Sequence, residues 1–281
     1  MATLSDYTNR REYLMSKLNV NLKTKTVAND IFRIENTDSK TVLCPYITVT
    51  DAQAGAITGT YVLGDATTVD ETLTVDRQII TAIHLLDHET RFAEFSLGKQ
   101  AMDEFASKST ILLDQWSLNM AVKNAGQTSA IKTFAKTTAV DDILELKNLV
   151  AGYEESFDGN FYLVVENTES AGIEKAGAVA GFVYQDRILN GQRVKTLVGV
   201  DIHVVRAGTF VDATIATDAF TNLNNRLFGV RKTATLALNN GVSYEELSVS
   251  LKTGKEMRSV MYAGFKNWTP RATLTVNVPL S

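Results

Sequence analysis

Two histidines four residues apart are the first place to look for chemistry. In His84-Leu85-Leu86-Asp87-His88-Glu89 a helix would bring both imidazoles to one face, close enough to chelate zinc. Asp87 would then stand where an inverted zinc-protease motif carries its catalytic glutamate. The motif demands glutamate at that position, and a third ligand would have to be His203 or a carboxylate. The residues before His84 read as strand, in which positions 84 and 88 also share a side. The structural reading is a polar segment at the foot of a β-hairpin, facing another subunit.

The remaining reactive groups do not converge either. Cys44-Pro45 offers a thiol with no neighbouring base to activate it, which is the pattern of a packed cysteine. Asp141-Asp142 and Glu154-Glu155 are paired carboxylates, but adjacent residues point in different directions along a helix. Both pairs fall at helix ends, where acids cap or face water. Gly172, Gly177 and Gly181 lack the strand-to-helix frame of a dinucleotide loop, and no phosphate-loop motif occurs. The sequence therefore predicts no catalytic residues, no metal site and no cofactor: a protein that is not an enzyme.

What such a chain builds is written in its elements. Residues 1–40 carry spaced charges, a short apolar pattern (Tyr13, Leu14, Leu18) and Lys23-Thr24-Lys25-Thr26, and read as an arm with little core of its own. From Thr41 to about Arg91 the chain is strand-like: Ile47, Val49, a Gly/Ala/Thr tip through Gly59, Tyr61-Val62-Leu63, then Leu73, Val75, Ile79, Ile80 and Ile83. That is a long hairpin loop. The period then changes. Met102, Phe105, Ala106, Ser109, Leu112, Leu113, Trp116 and Met120 recur at steps of three and four, predicting one long amphipathic helix from about Ser96 to Lys123, stopped at Asn124-Ala125-Gly126.

A second helix opens at Thr138 with Asp141 in its first turn, runs through Ile143, Leu146 and Val150, and closes at Gly152. Phe161 to Val165 reads as a fully buried strand, followed by a helix capped at Asn167 or Thr168 and reaching Lys175. Residues 181–206 form a β unit broken by Gly191 and Gly199. A helix is expected from about Thr217 to Leu227, then a strand pair, Thr233 to Leu238 and Val242 to Val249, turned by Asn239-Asn240-Gly241. Met257 to Tyr262, a break at Gly264, a Thr269-Pro270 turn and an alternating strand (Ala272, Leu274, Val276, Val278) end the chain. There is no repeat and no low-complexity tract.

Composition narrows the class. The 281 residues are 44% hydrophobic and 21% charged, enough for a sizeable core. No apolar run spans a bilayer and the N-terminus is not a secretory leader, so the chain is expected to be a complete cytosolic protein without membrane contact. One cysteine excludes a disulfide within the subunit. The net charge of −4 is unevenly spread. Lys and Arg against Asp and Glu stand at 7 to 5 over residues 1–40, 4 to 11 over 41–121, and 17 to 16 over the rest. Without a basic stripe, tight phosphate-backbone binding is not expected.

Read in order, these elements resemble the tailed-phage major capsid proteins of the Hong Kong 97 type, over almost the whole chain. The residues that carry the resemblance are the Ser96–Lys123 helix and the helix-then-strand unit from Val140-Asp-Asp-Ile-Leu-Glu-Leu-Lys to Phe161-Tyr-Leu-Val-Val. To these belong Gly191-Gln-Arg-Val-Lys-Thr-Leu-Val-Gly-Val-Asp-Ile-His-Val-Val and the tail from Tyr262-Ala-Gly-Phe to Arg-Ala-Thr-Leu-Thr-Val. The resemblance implies an α+β capsid fold: N-terminal arm (1–45), extended β-hairpin loop (46–95), peripheral domain with a long spine helix (96–165), axial domain (166–266), and a return strand to the peripheral domain (267–281).

It further implies hexamers and pentamers of this chain closing an icosahedral shell around double-stranded DNA, in a virion assembled in the host cytoplasm. A portal, possible cement proteins and a separate scaffolding protein are the implied partners, since no hundred-residue scaffold precedes the arm. The related encapsulins, nanocompartment shells that recruit enzyme cargo, are the second reading; no cargo-docking texture is evident at the N-terminus. A zinc hydrolase using His84 and His88 is the third. No lysine lies between Lys40 and Lys99, so no lysine weld through the loop is expected. The acidic loop, with Asp70, Glu71 and Asp76, and the net-positive arm are expected to pair by charge between subunits.

Overall fold

The computed structural model describes residues 12–14, 16–18, 20–21, 26–48, 67–85, 87–152, 160–179, 185–189, 192–239, 243–248 and 255–281. The expected loop tip, Glu154-Glu155, Gly181, Gly191 and the Asn240-Gly241 turn lie outside the described residues, as do the side chains of Cys44, Asp87 and His88.

After the arm residues, helical where described, comes a single helical turn, α1 (Ala28–Ile31), and strand β1 (Arg33–Thr37). Strands β2 (Thr41–Thr48) and β3 (Thr67–Thr74) pair antiparallel over eight positions as a two-stranded sheet. Strand β4 (Arg77–Leu85) leads into α2 (Asp87–Lys123), a helix of 37 residues. It begins nine residues before the expected Ser96, so Asp87–Phe95 is helix and not hairpin. The physical reason lies in the sequence: Asp87 and Glu89, in the first turn, favour the positive N-terminal end of a helix, and no proline follows them.

A seven-stranded sheet, in the order β5-β16-β12-β6-β9-β8-β7, holds one core. Its members are β5 (Gln127–Thr128), β6 (Phe161–Glu166), β7 (Gln185–Leu189), β8 (Gln192–Leu197), β9 (Val200–Val205), β12 (Asn225–Val230) and β16 (Thr275–Pro279). Strand β6 is buried along its whole length, as its unbroken apolar run predicts. Helices α3 (Ala139–Val150) and α4 (Asn167–Val179) supply Ala139, Ile143, Leu146 and Val150, and Ile173 and Ala176, to the core formed with Leu163, Val165, Ile202 and Phe228. Both β8 and β9 meet in a turn at Val198 (φ 55°) and Gly199 (φ 73°), the two positive values a tight hairpin turn demands. A valine there is strained, and Lys147 Nζ donates to its carbonyl at 3.0 Å.

The second sheet has five strands. Strand β15 (Lys255–Asn267) is its axis: β4 lies along one side, while β13 (Ala234–Asn239) and β14 (Ser243–Ser248) follow one another along the chain of pairings with β15, and β1 pairs parallel with β13. The expected β13–β14 pair is therefore corrected: both strands pair with β15, and among the described residues they are not paired with each other. No break occurs at Gly264, which sits inside β15 opposite Ala237. The expected helix from Thr217 to Leu227 is likewise absent. Its place is taken by β10 (Thr214–Ile215) paired with β11 (Asp218–Ala219), then a turn into β12, because Asp218 and Asn222 spend their side chains on the long helix. The tail forms a 3₁₀ helix, Thr269–Leu274, before β16.

The main core joins this sheet to α2 through Phe105, Leu113, Trp116, Leu236, Met257 and Met261. Arm residues Leu14, Leu18, Val27, Ile31 and Phe32 are buried in the same core. The described arm thus packs into a core that it shares with α2, and its few apolar residues form no separate core.

Candidate assembly interface

The histidines do not form a site. His84 is exposed on β4 opposite Glu256, while His88 belongs to α2, so the two are not on one helix. His203 is 2% exposed in β9 and belongs to a polar group inside the protein. Arg231 Nη2 donates to Asp201 at 2.9 Å and lies 3.1 Å from His203 Nε2. Burial, and then the Arg231 charge, push the His203 imidazole down to about 3; it is neutral at any working pH, with Nε2 the natural acceptor. Asp141 is exposed, and Asp142 is turned to Lys132 and the Phe134 amide. Gly172 backs onto the Phe134 carbonyl, where a Cβ would approach within 2.2 Å, a packing role. Among the described residues no three His, Cys, Asp or Glu side chains gather as a metal would need.

The polar groups that do converge fix the foot of the β2–β3 hairpin. Lys266 Nζ lies 3.0 Å from Glu71 Oε2 and donates to the Thr72 carbonyl at 3.0 Å; the Thr269 amide also donates to Glu71. Burial opposes ionisation of Glu71, but hydrogen bonds from Thr269 and Lys266 prevail and hold it below the usual carboxylate range. Beneath it Leu73, Val75, Ala237 and Trp268 form a small separate core. Gly264 makes that approach possible, since a Cβ there would stand 2.3 Å from the Thr74 carbonyl oxygen.

One strand further on, Arg77 clasps Asp218 in a two-pronged pair at 2.7 and 2.9 Å, and the buried Trp116 indole donates to the same carboxylate at 2.9 Å. The remaining prong of Arg77 meets Asp76 at 2.8 Å. Of the three residues expected to pair by charge between subunits, Glu71 and the exposed Asp76 also form ion pairs inside the chain, and Asp70 is exposed without an ion pair among the described residues.

The segment from Arg206 to Asn224 ties both sheets to α2. The fully buried Asn119 side chain donates to the Thr209 carbonyl at 2.8 Å and accepts from the Val211 amide and from Asn222. Behind it Arg226 donates to Glu169 at 2.8 and 3.1 Å, to Glu166 at 3.4 Å, and to the Leu223 and Asn225 carbonyls, so its guanidinium is fully satisfied though almost wholly buried. Sequence reasoning missed Asn119, Asp218 and Arg226. A lone asparagine in a helix and a lone arginine in a strand carry no spacing signal.

With its foot fixed, the hairpin itself is left as a two-stranded ribbon whose Leu43 is 61% exposed. A ribbon of two strands is marginal in water and gains stability from a further surface. The outward face of the neighbouring blade offers Ile80 (48% exposed) and Tyr262 (38%) beside Val260. No reactive centre accompanies these exposed apolar residues among the described residues.

No family model matches the sequence, and no curated protein matches it. Solved structures match its fold over nearly their full length. The mature capsid of bacteriophage PhiM1 superposes with a TM-score of 0.65 at 9% identity, covering 92% of this chain and 87% of that one. The virus-like particle from Pyrococcus furiosus gives 0.63 at 10% identity, with 97% and 98% covered. The holo-SrpI encapsulin complex of Synechococcus elongatus PCC 7942 gives 0.58 at 11% identity, with 88% and 84% covered.

Proposed function

We propose that this chain, which has the α+β Hong Kong 97-type capsid fold, is the major capsid protein of a tailed double-stranded-DNA virus and assembles through hexamers and pentamers into an icosahedral shell. The observation that carries the reading is the match of fold over most of both chains, including with a mature phage capsid. The rigid foot and exposed ribbon of the hairpin support it physically, because the ribbon must be covered and a second copy is the natural cover. On this reading the chain catalyses nothing and holds no cofactor. Portal, scaffolding and cement proteins are its further partners, and it encloses DNA without reading its sequence.

The domain division at residues 45, 95, 165 and 266 belongs to the same proposal. One refinement follows from the sheets: α3 and β6 share a core with the axial strands, and β13 and β15 share one with the long helix.

A nanocompartment shell is the second reading, favoured by the encapsulin likeness. Negative-stain microscopy of the expressed chain tests both. Round particles are expected; a soluble monomer at assembly concentrations refutes the shell, and enzyme cargo in native particles in place of DNA selects the compartment. Zinc near one equivalent in purified protein would revive the hydrolase reading. A ladder of covalent oligomers on a denaturing gel would reveal a weld despite the absence of loop lysines.

A further inference from the structure

We propose that strand β4 pairs with β4 of a second copy of this chain, antiparallel across a two-fold axis at Thr81, so that the sheets of the two copies run on as one. The starting observation is an open edge. β4 pairs with β15 at all nine positions from Arg77 to Leu85 without a bulge, and no strand pairs with its other side among the described residues. Such an edge presents a row of backbone donors and acceptors to any passing chain. Proteins normally guard it with charges, proline, a bulge or a short strand, or cover it.

The other edges of this sheet are guarded. β1 carries Arg33 and Glu35 within five residues, and β14 carries Glu245 and Glu246 within six. On β4 these devices are missing: from Gln78 to Leu86 the sequence has no Asp, Glu, Lys, Arg, Pro or Gly. Helix α2 does not cover the edge either. On the helix side Ile79 is buried and the Thr81 hydroxyl meets that of Ser109 at 2.9 Å, yet Ile83 is 38% exposed. On the outward side Gln78, Ile80, Ala82 and His84 are all exposed.

A second copy is the occupant because the edge is complementary to itself. With Thr81 on the axis every residue of β4 gains a partner: Ile79 stands opposite Ile83 of the second copy, Ile80 opposite its Ala82, and Gln78 opposite its His84. Ile79, Ile80, Thr81 and Ile83 are β-branched and suit cross-strand pairs. Arg77 stands opposite Leu85 and not its own mate, and Asp218 already neutralises it, so no like charges meet. The contact is isologous and closes on itself, joining two subunits without starting a fibre. It deepens the shell reading and rests on it for the supply of copies.

Disulfide trapping tests the register, in the full chain with Cys44→Ser. Ile80→Cys and Ala82→Cys together place each new thiol directly opposite one on the second copy, with Cβ atoms about 4.5–5.5 Å apart, whereas either substitution alone leaves its two copies diagonal, about 7–8 Å apart. Mild oxidation should give a band of doubled mass on a non-reducing denaturing gel for the double variant, lost on reduction, and little for either single one. A double variant that links no more than the single ones overturns the pairing. So does equal linking by Gln78→Cys with Ile80→Cys, which are not opposite each other in this register; that result would mean a different strand or a foreign chain lies on the edge. Microscopy of the same samples separates the two readings: round particles without linked dimers overturn the edge pairing and leave the shell, and linked dimers without particles do the reverse. If the cysteine variants do not fold, hydrogen exchange of the unaltered chain decides. The alternate β4 amides turned away from β15 should be protected in the associated protein and exchange freely in dilute monomer, and free exchange in both overturns the pairing.

Discussion

Replacing Gly264 by alanine should undo the foot of the hairpin. The added methyl carbon would sit 2.3 Å from the Thr74 oxygen, 3.0 Å from the Thr74 carbonyl carbon and 2.8 Å from a Leu73 methyl. Two of these neighbours are backbone, so no side chain can turn aside; β3 or β15 must move by nearly the width of the overlap. Overpacking of this kind costs about 1–3 kcal/mol. Moving the strand also loosens the small core of Leu73, Val75, Ala237 and Trp268, adding about 1–2 kcal/mol if Leu73 is partly exposed. A loss of about 2–5 kcal/mol follows, read as a fall in Tm of about 3–9 °C, together with a lower yield of particles because the hairpin leaves at a different angle. Gly152→Ala is the control, with nothing within 4 Å of its new carbon. The reasoning fails if Gly264→Ala unfolds within about 0.5 kcal/mol of wild type, the range of an ordinary surface change, and still forms normal particles.

Three further outcomes are expected. Asp218→Ala strands the Trp116 indole N–H, 1% exposed, and should cost about 2–3 kcal/mol in urea unfolding, with Asp218→Asn recovering part because it still accepts from the indole. Arg226→Ala leaves Glu166 and Glu169 uncompensated in the interior and should cost about 3–5 kcal/mol, measured the same way; a loss under 1 kcal/mol would mean that the carboxylates rehydrate. Glu71, Glu169 and Asp218 are all held below the usual carboxylate range, with burial outweighed by their hydrogen bonds. Their stabilisation is present above their ordinary values and lost as pH falls through the folded ones. Fluorescence of the two tryptophans should therefore change below about pH 4, and Asp218→Asn should remove the Trp116 component.

The elements legible in the sequence are those whose burial is one-sided and local. The period of Met102 to Met120 gave away α2, and the apolar run Phe161–Val165 gave away β6. The helix start at Asp87 escaped because its first turns carry acids and no complete apolar stripe. The Thr217–Leu227 segment escaped for another reason. Its apolar spacing suits a helix, but the hydrogen bonds that Asp218 and Asn222 make to residues a hundred positions away outweigh that preference. Strand partners were the least legible: two strands joined by a good turn sequence both pair with a third that follows them. The histidine motif failed for a geometric reason, since a chain that changes from strand to helix between His84 and His88 does not keep one face.

The clasp on Glu71 joins residues 198 positions apart. During synthesis at about 5–20 residues per second, the finished hairpin sequence waits about 10–40 s for the tail that will anchor it. Throughout that interval β4 has no β15 to pair with, so the surface that fixes the hairpin's direction does not yet exist. A nascent chain therefore has no clasp on Glu71 until its last residues have emerged, and a chain truncated before Lys266 and Thr269 never acquires it.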